Sequence, residues 1–220
     1  MRISSVEVFV HERAWQLTSG FGVVPDNLMP MGVLTIGTDE GVAGHAFVSG
    51  PGPGARRPCR DIIDSLRPLL LGRNPLDIGA IWGSLWPLVP VVDPIAVGAV
   101  DVALWDLAGT VAGLPVHRLL GTCSDHMPAY VSSWVRRTPD DYAREVAHHR
   151  AAGWPGYKLH PPTQLRKLGH EVATVVDIET CEAVRDAAGD DMVLMLDSAC
   201  AYDLGGAIKV GQAIEKLGYG

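Results

Sequence analysis

Three side chains in the second half of this 220-residue chain could do acid–base chemistry. Lys158 and His160 stand two apart in Gly156-Tyr157-Lys158-Leu159-His160, and Asp197 closes the apolar run Met192-Val193-Leu194-Met195-Leu196. Side chains alternate faces along a strand, so Lys158 and His160 point one way and Tyr157 and Leu159 the other. A neutral histidine is a competent base near pH 7, whereas a lysine must first be strongly perturbed. A carboxylate such as Asp197 is a hard oxygen donor that suits Mg²⁺, although one carboxylate does not hold that ion alone. The plainer readings are a solvated strand end for the two bases and a cap on the following helix for Asp197. In parallel α/β folds, function collects at the carboxyl ends of strands, so all three groups would share one rim.

The elements that must position them recur at a regular pace. Met127–Val135, Gly156–His160 and Met192–Asp197 read as strands. The third is apolar throughout its body, as a strand covered on both faces must be. Helices follow each: one from Thr138 to about Ala152, one from about Glu171 to Ala188, and one over Leu204–Leu217. Thr138 reads as an N-cap, with Pro139 in the first turn and Asp140 and Asp141 at the positive helix end. A spacing of about 30 residues per strand and helix is that of βαβ units.

The residues before Gly121 follow another pattern. Val6, Val8 and Val10 alternate as in a half-buried strand, and Gly32–Gly37 and Val42–Val48 read as a hairpin. The turn is Thr38-Asp39-Glu40-Gly41, with Gly41 supplying a positive φ. Residues 14–30 mix Trp15, Leu17, Phe21, Val23, Val24, Leu28 and Met29 with glycine and proline. An apolar loop of that length reads as a lid or binding loop, or as a loop packed on its own domain. Ile62, Ile63, Leu66, Leu69 and Leu70 share a helical face, Leu76–Leu88 is a second helix, and Val100, Ala103, Leu104, Leu107 and Val111 mark a third. A three-stranded meander followed by helices is an α+β unit.

Composition narrows the function. A net charge of −7 argues against nucleic acid and anionic membranes as partners. No run approaches the roughly 18 apolar residues of a membrane helix. Cys59, Cys123, Cys181 and Cys200 are widely spaced without a CxxC pair, which disfavours zinc or a disulfide framework and fits a reducing cytoplasm. The eight histidines form no HExxH. Gly50-Pro51-Gly52-Pro53-Gly54 lacks phosphate-loop spacing, and its prolines remove the amides that would cradle phosphate.

One segment carries a family signature. Gly98-Ala99-Val100-Asp101-Val102-Ala103-Leu104-Trp105-Asp106-Leu107-Ala108-Gly109, then Gly113-Leu114-Pro115-Val116 and Leu119-Leu120-Gly121, resembles the mandelate racemase/muconate lactonizing enzyme branch of the enolase superfamily. The resemblance runs over essentially the whole chain. It implies an α+β capping domain over residues 1–121, followed over 122–220 by the start of a (β/α) TIM-type barrel, its first three βα units only. Lys158-Leu159-His160 falls where the family carries Lys-x-Lys, and Asp197 where it carries the first Mg²⁺ ligand. The resemblance further implies that Lys158 stabilises a substrate carboxylate and that His160 is the base. Ser132 would contact that carboxylate, and Phe21 and Val23 of the 14–30 loop would close over the substrate. The expected chemistry is abstraction of the proton α to a carboxylate, most simply by an acid-sugar dehydratase. A racemase or epimerase of a 2-hydroxy or related acid is the alternative. Family members tend to form homo-oligomers. Three departures stand out: His160 replaces lysine, Ala199 replaces a common asparagine, and the sequence stops near Lys216–Gly220, where a fourth strand with a Glu ligand is expected. A truncated, inactive product lacking two metal ligands is therefore a further alternative.

Overall fold

A computed structural model of the chain describes residues 1–14, 28–49, 54–162 and 170–220. They fall into two compact units, one ending at Asp125 and the other running from His126 to Gly220.

The first unit opens with an antiparallel meander of β1 (Ile3–Ala14), β2 (Leu28–Thr38) and β3 (Ala43–Val48), in the order β1-β2-β3. The turn between β2 and β3 has Gly41 at φ 79°, as its sequence requires. Ile3 and Val6 are both buried although an odd number of residues apart, because a bulge between Ile3 and Ser5 shifts the register. Leu28 and Met29 belong to β2, opposite Ala14 and Arg13, and not to an apolar loop. Phe21 and Val23 lie outside the described residues.

The helices pack on one face of that sheet. A helical run is built from α1 (Arg56–Asp61), a π turn at Ile62–Leu66 and α2 (Arg67–Leu70). Pro68 has no N–H to give to the carbonyl one turn back, which accounts for the widened ladder just before it. Ile62, Leu66 and Leu70 are buried, but the wider turn carries Leu69 out to solvent at 44% exposure, against the sequence expectation. The second expected helix is shorter than Leu76–Leu88: α3 (Ile78–Leu85) ends in a 3₁₀ turn over Trp86–Leu88, where Pro87 cannot continue the ladder.

The spine is α4 (Pro94–Ala112). Asp93 caps it by accepting from Ile95 N–H at 2.9 Å, and Gly113 ends it in the left-handed conformation at φ 64°. A short α5 (Val116–Leu119) follows. At 19 residues with a mean hydropathy of 1.6, α4 does reach the length and composition of a membrane span, contrary to the sequence expectation; half of it is buried inside the fold. Its buried face is rich in alanine, Ala96, Ala99, Ala103 and Ala108 among them, so β3 can approach its backbone closely. The closest point is Gly44: a Cβ there would lie 2.1 Å from the Ala103 carbonyl oxygen and 2.7 Å from Leu107 N. Next to it, His45 N–H donates to Asp106 Oδ2 at 2.8 Å, tying strand to helix.

The second unit is a parallel sheet of β4 (Val131–Ser132), β5 (Gly156–Leu159) and β6 (Val193–Leu196), in the order β4-β5-β6. Each strand is followed in sequence by a helix: α6 (Pro139–Ala151), α7 (His170–Ala188) and α8 (Leu204–Glu215). The expected capping box is present. Thr138 Oγ1 accepts from Asp141 N–H at 3.3 Å, and Asp141 Oδ2 accepts from Thr138 N–H at 3.1 Å. Asp203 caps α8 by accepting from Gly206 N–H at 2.7 Å. The expected strand over Met127–Val135 shrinks to two residues, since β4 has a partner on one side only and Pro128 has no N–H to donate. Tyr142, Val146, Tyr157, Leu159, Cys181, Val184, Ala188, Met192 and Leu194 form the core between sheet and helices. The Arg185 guanidinium staples the far end of this unit, donating to the carbonyls of Gly189, Met192, Leu217 and Gly218 at 2.6–3.1 Å. Tyr219 pairs with Leu194 in the parallel sense, on the outer side of β6.

Two glycine substitutions separate close approach from helix propensity. Gly44→Ala drives a methyl group into backbone atoms and should destabilise the protein by roughly 3 kcal/mol. Gly83→Ala, where nothing lies within 4 Å of the added Cβ, should stabilise α3 by up to about 1 kcal/mol. Urea unfolding of both variants beside the wild type measures the two signs.

Candidate active site

The β5–β6 register sets the site. Lys158 pairs with Met195 and Leu159 with Leu196, so the next residues out, His160 and Asp197, emerge side by side beyond the strand ends. The Asp197 N–H donates to the Leu159 carbonyl at 2.9 Å, continuing the ladder by one bond. The residues of the helix-facing side, Tyr157, Leu159 and Leu194, are fully buried. Lys158 and His160 lie on the opposite side, as alternation demands.

Lys158, His160 and Asp197 converge on one oxygen. Lys158 Nζ donates to Asp197 Oδ2 at 3.0 Å, and His160 Nε2 lies 3.4 Å from the same atom. The Lys158 and His160 side chains are each 22% exposed and that of Asp197 is 40% exposed, so the cluster is open enough to receive a solute. Hydrogen bonding to Lys158, then to the Ala199 N–H at 3.0 Å from Oδ1, holds the Asp197 carboxyl below the usual aspartate range. The same bond to Asp197 raises the Lys158 ammonium above its ordinary value. Just after Asp197 the backbone takes left-handed values at two successive non-glycine residues, Ala199 (φ 46°) and Cys200 (φ 65°).

Ser132 is exposed and sits on β4 in direct register with Lys158, so it borders the cluster from the neighbouring strand. Tyr130, which the sequence reading passed over, also borders it: the Lys158 ammonium is 5.7 Å from its ring centroid, within reach of a cation–π contact. Its signal was present, since it precedes Ser132 by two residues and strand alternation puts both on one face. Gly156 leaves the room for it, because a Cβ there would come within 3.1 Å of Tyr130 Cβ.

As a metal centre the cluster is partial. Asp197 offers one hard carboxylate of the right chemistry, now bonded to a lysine. Among the described residues, no group of three His, Cys, Asp or Glu could hold a metal.

Comparison with known proteins supplies the context. The model of the mandelate racemase/muconate lactonizing enzyme N-terminal domain matches residues 5–121, and that of the enolase C-terminal domain-like fold matches residues 141–220. The chain belongs to the mandelate racemase/muconate lactonizing enzyme family. Within that family it is 28% identical over 196 residues to a D-galactarolactone cycloisomerase of Agrobacterium fabrum, covering 84% of this chain and 48% of the relative. It is 34% identical over 108 residues to an L-talarate/galactarate dehydratase of Salmonella typhimurium, covering 48% of this chain and 25% of the relative. A solved structure of D-glucarate dehydratase from Agrobacterium tumefaciens, complexed with magnesium, superimposes with a TM-score of 0.81 at 29% identity. It covers all of this chain and 59% of its own. The chain thus spans about half or less of the curated relatives that it matches. A mandelate racemase/muconate lactonizing enzyme capping domain accounts for the antiparallel meander and its helices, and part of a barrel fits the parallel sheet.

The Lys158–Asp197 bond makes a testable link between charge and pH. A carboxyl whose folded pKa is depressed adds stability above the ordinary aspartate pKa, and that stability is lost as pH falls through the folded value. Lys158→Met should therefore move the Asp197 titration midpoint upward, as followed by carboxyl ¹³C NMR. It should also flatten the acid limb of the stability curve. An unmoved midpoint would assign the depression to the Ala199 N–H instead.

Proposed function

We propose that Lys158, His160 and Asp197 form the proton-abstracting edge of an enolase-superfamily active site, and that the protein is an acid-sugar dehydratase. In this reading the parallel sheet is the opening of a (β/α) barrel, with the cluster at its catalytic rim. The observation that carries it is the meeting of an ammonium, an imidazole and a carboxylate on one oxygen, at the carboxyl ends of adjacent parallel strands.

The chemistry follows from the groups. Lys158 offers a fixed positive charge to one carboxylate oxygen of an acid sugar, and Ser132 stands beside it on the next strand. That charge favours the enediolate over the ground state, because a second negative charge develops on the carboxylate as the α-proton leaves. His160 Nε2 faces the same space and accepts that proton. The enediolate then collapses as the β C–O bond breaks, the proton that His160 took leaves with the hydroxyl as water, and the resulting enol becomes a 2-keto acid. Asp197 would be one ligand of a Mg²⁺ ion, which when bound neutralises charge on the substrate carboxylate. The acid-sugar dehydratases among the relatives and the magnesium complex of D-glucarate dehydratase support this assignment.

An isomerase is the second reading. The match to a D-galactarolactone cycloisomerase over 84% of the chain favours it. The two readings part in D₂O. Incubated with Mg²⁺ and a panel of acid sugars, a dehydratase releases a 2-keto acid, and a racemase or epimerase returns deuterated substrate of inverted configuration. Neither product nor exchange across the panel would overturn both readings. His160→Ala should lower kcat by roughly a hundredfold or more with a much smaller change in KM. Unchanged turnover would place the base elsewhere.

A further inference from the structure

Ser133 grips the segment that carries both bases. It is 3% exposed, whereas its neighbour Ser132 is open to solvent. Its N–H donates to the Lys158 carbonyl at 2.9 Å. Its Oγ accepts from the His160 N–H at 3.1 Å, and its carbonyl oxygen lies 2.6 Å from His160 Nδ1. A carbonyl oxygen can only accept, so Nδ1 must be the donor. In the neutral ring the proton is then on Nδ1 and the lone pair on Nε2, the nitrogen that faces Asp197 and the open side of the sheet.

The hold continues behind the ring. The Tyr142 hydroxyl donates to the His160 carbonyl at 2.5 Å and accepts from the Arg136 N–H at 2.7 Å. Tyr142 is fully buried, and Arg136 in turn makes a two-bond contact to Glu145 at 2.6 and 2.9 Å. The Tyr157 hydroxyl donates to that same Glu145 at 2.8 Å. His160 is therefore fixed through its N–H, its carbonyl and its Nδ1, which leaves Nε2 as the one polar atom of the residue turned to the site.

We propose that Ser133 is the positioning residue of this site: it locks His160 as the Nδ1–H tautomer and so makes Nε2 a pre-aimed base. A free imidazole divides its proton between both nitrogens. A buried carbonyl at Nδ1 removes that choice before substrate arrives, as partners of the second ring nitrogen do for metal-bound histidines. The functional weight of the inference rests on the reading of His160 as the base.

Long-range ¹H–¹⁵N correlation on the labelled protein, at a pH where the ring is neutral, reads the tautomer without any turnover. A protonated Nδ1 with a pyridine-like Nε2 is expected, and a protonated Nε2 or an even mixture overturns the inference. Ser133→Ala keeps the carbonyl that faces Nδ1 but removes Oγ, the acceptor that holds the His160 N–H and with it the ring against that carbonyl. It should lower kcat by roughly tenfold at nearly constant KM, while the melting transition shows that the variant is folded. Ser133→Thr, which keeps the hydroxyl, should recover most of that loss. A folded Ser133→Ala variant with wild-type kcat and an unchanged His160 spectrum overturns the inference. Should His160→Ala retain full turnover while the wild type shows Nδ1–H, the base assignment falls and the tautomer lock stands.

Discussion

The parallel register of β5 on β6 is the constraint on which the second unit depends. Leu159 opposite Leu196 puts a fully buried leucine against a half-buried one at the last paired position and releases His160 and Asp197 together into the rim. A slip of one residue would turn Leu159 toward solvent and Lys158 into the core, with no partner there for an ammonium. Burial of Tyr157, Leu159 and Leu194 on the helix side therefore fixes which face carries charge. Packing that looks purely structural decides the placement of the chemical groups.

The same economy holds in the first unit, where polar and apolar contacts share one seam. Small residues on α4 let β3 approach, and Asp106 then reaches the His45 amide across the narrowed gap. The bond satisfies a strand amide that would otherwise face a helix. Close approach and hydrogen bond depend on one another: a bulkier residue at Gly44 would push both apart.

Much of this was legible in the residues. The alternating valines of β1, the glycine turn before β3, the Thr138–Asp141 box and the shared face of Lys158 and His160 are all local rules, and the structure follows them. Readings failed where geometry is not local. Leu69 leaves the core because the π turn over Ile62–Leu66 just before it rotates it away. The strand expected over Met127–Val135 reduces to Val131–Ser132 because a ladder needs a partner, which periodicity does not name. Ser132 drew notice through the family resemblance, whereas its buried neighbour Ser133 carried no such signal. Its role lies in bonds to a segment 27 residues away, and nothing in the local pattern announces them.

The two left-handed residues that follow Asp197 have a consequence for how this rim can change. Left-handed backbone costs an L-residue about 1–2 kcal/mol, so the turn at Ala199 and Cys200 is an uphill shape. It is held at one end by the Asp197 Oδ1 bond to Ala199 N–H and at the other by the Asp203 cap. Glycine at either position would relieve the strain and in the same stroke widen the conformations open to the turn. Thermal robustness and sharpness of carboxylate placement are thus opposed along this stretch: each gain in one draws down the other.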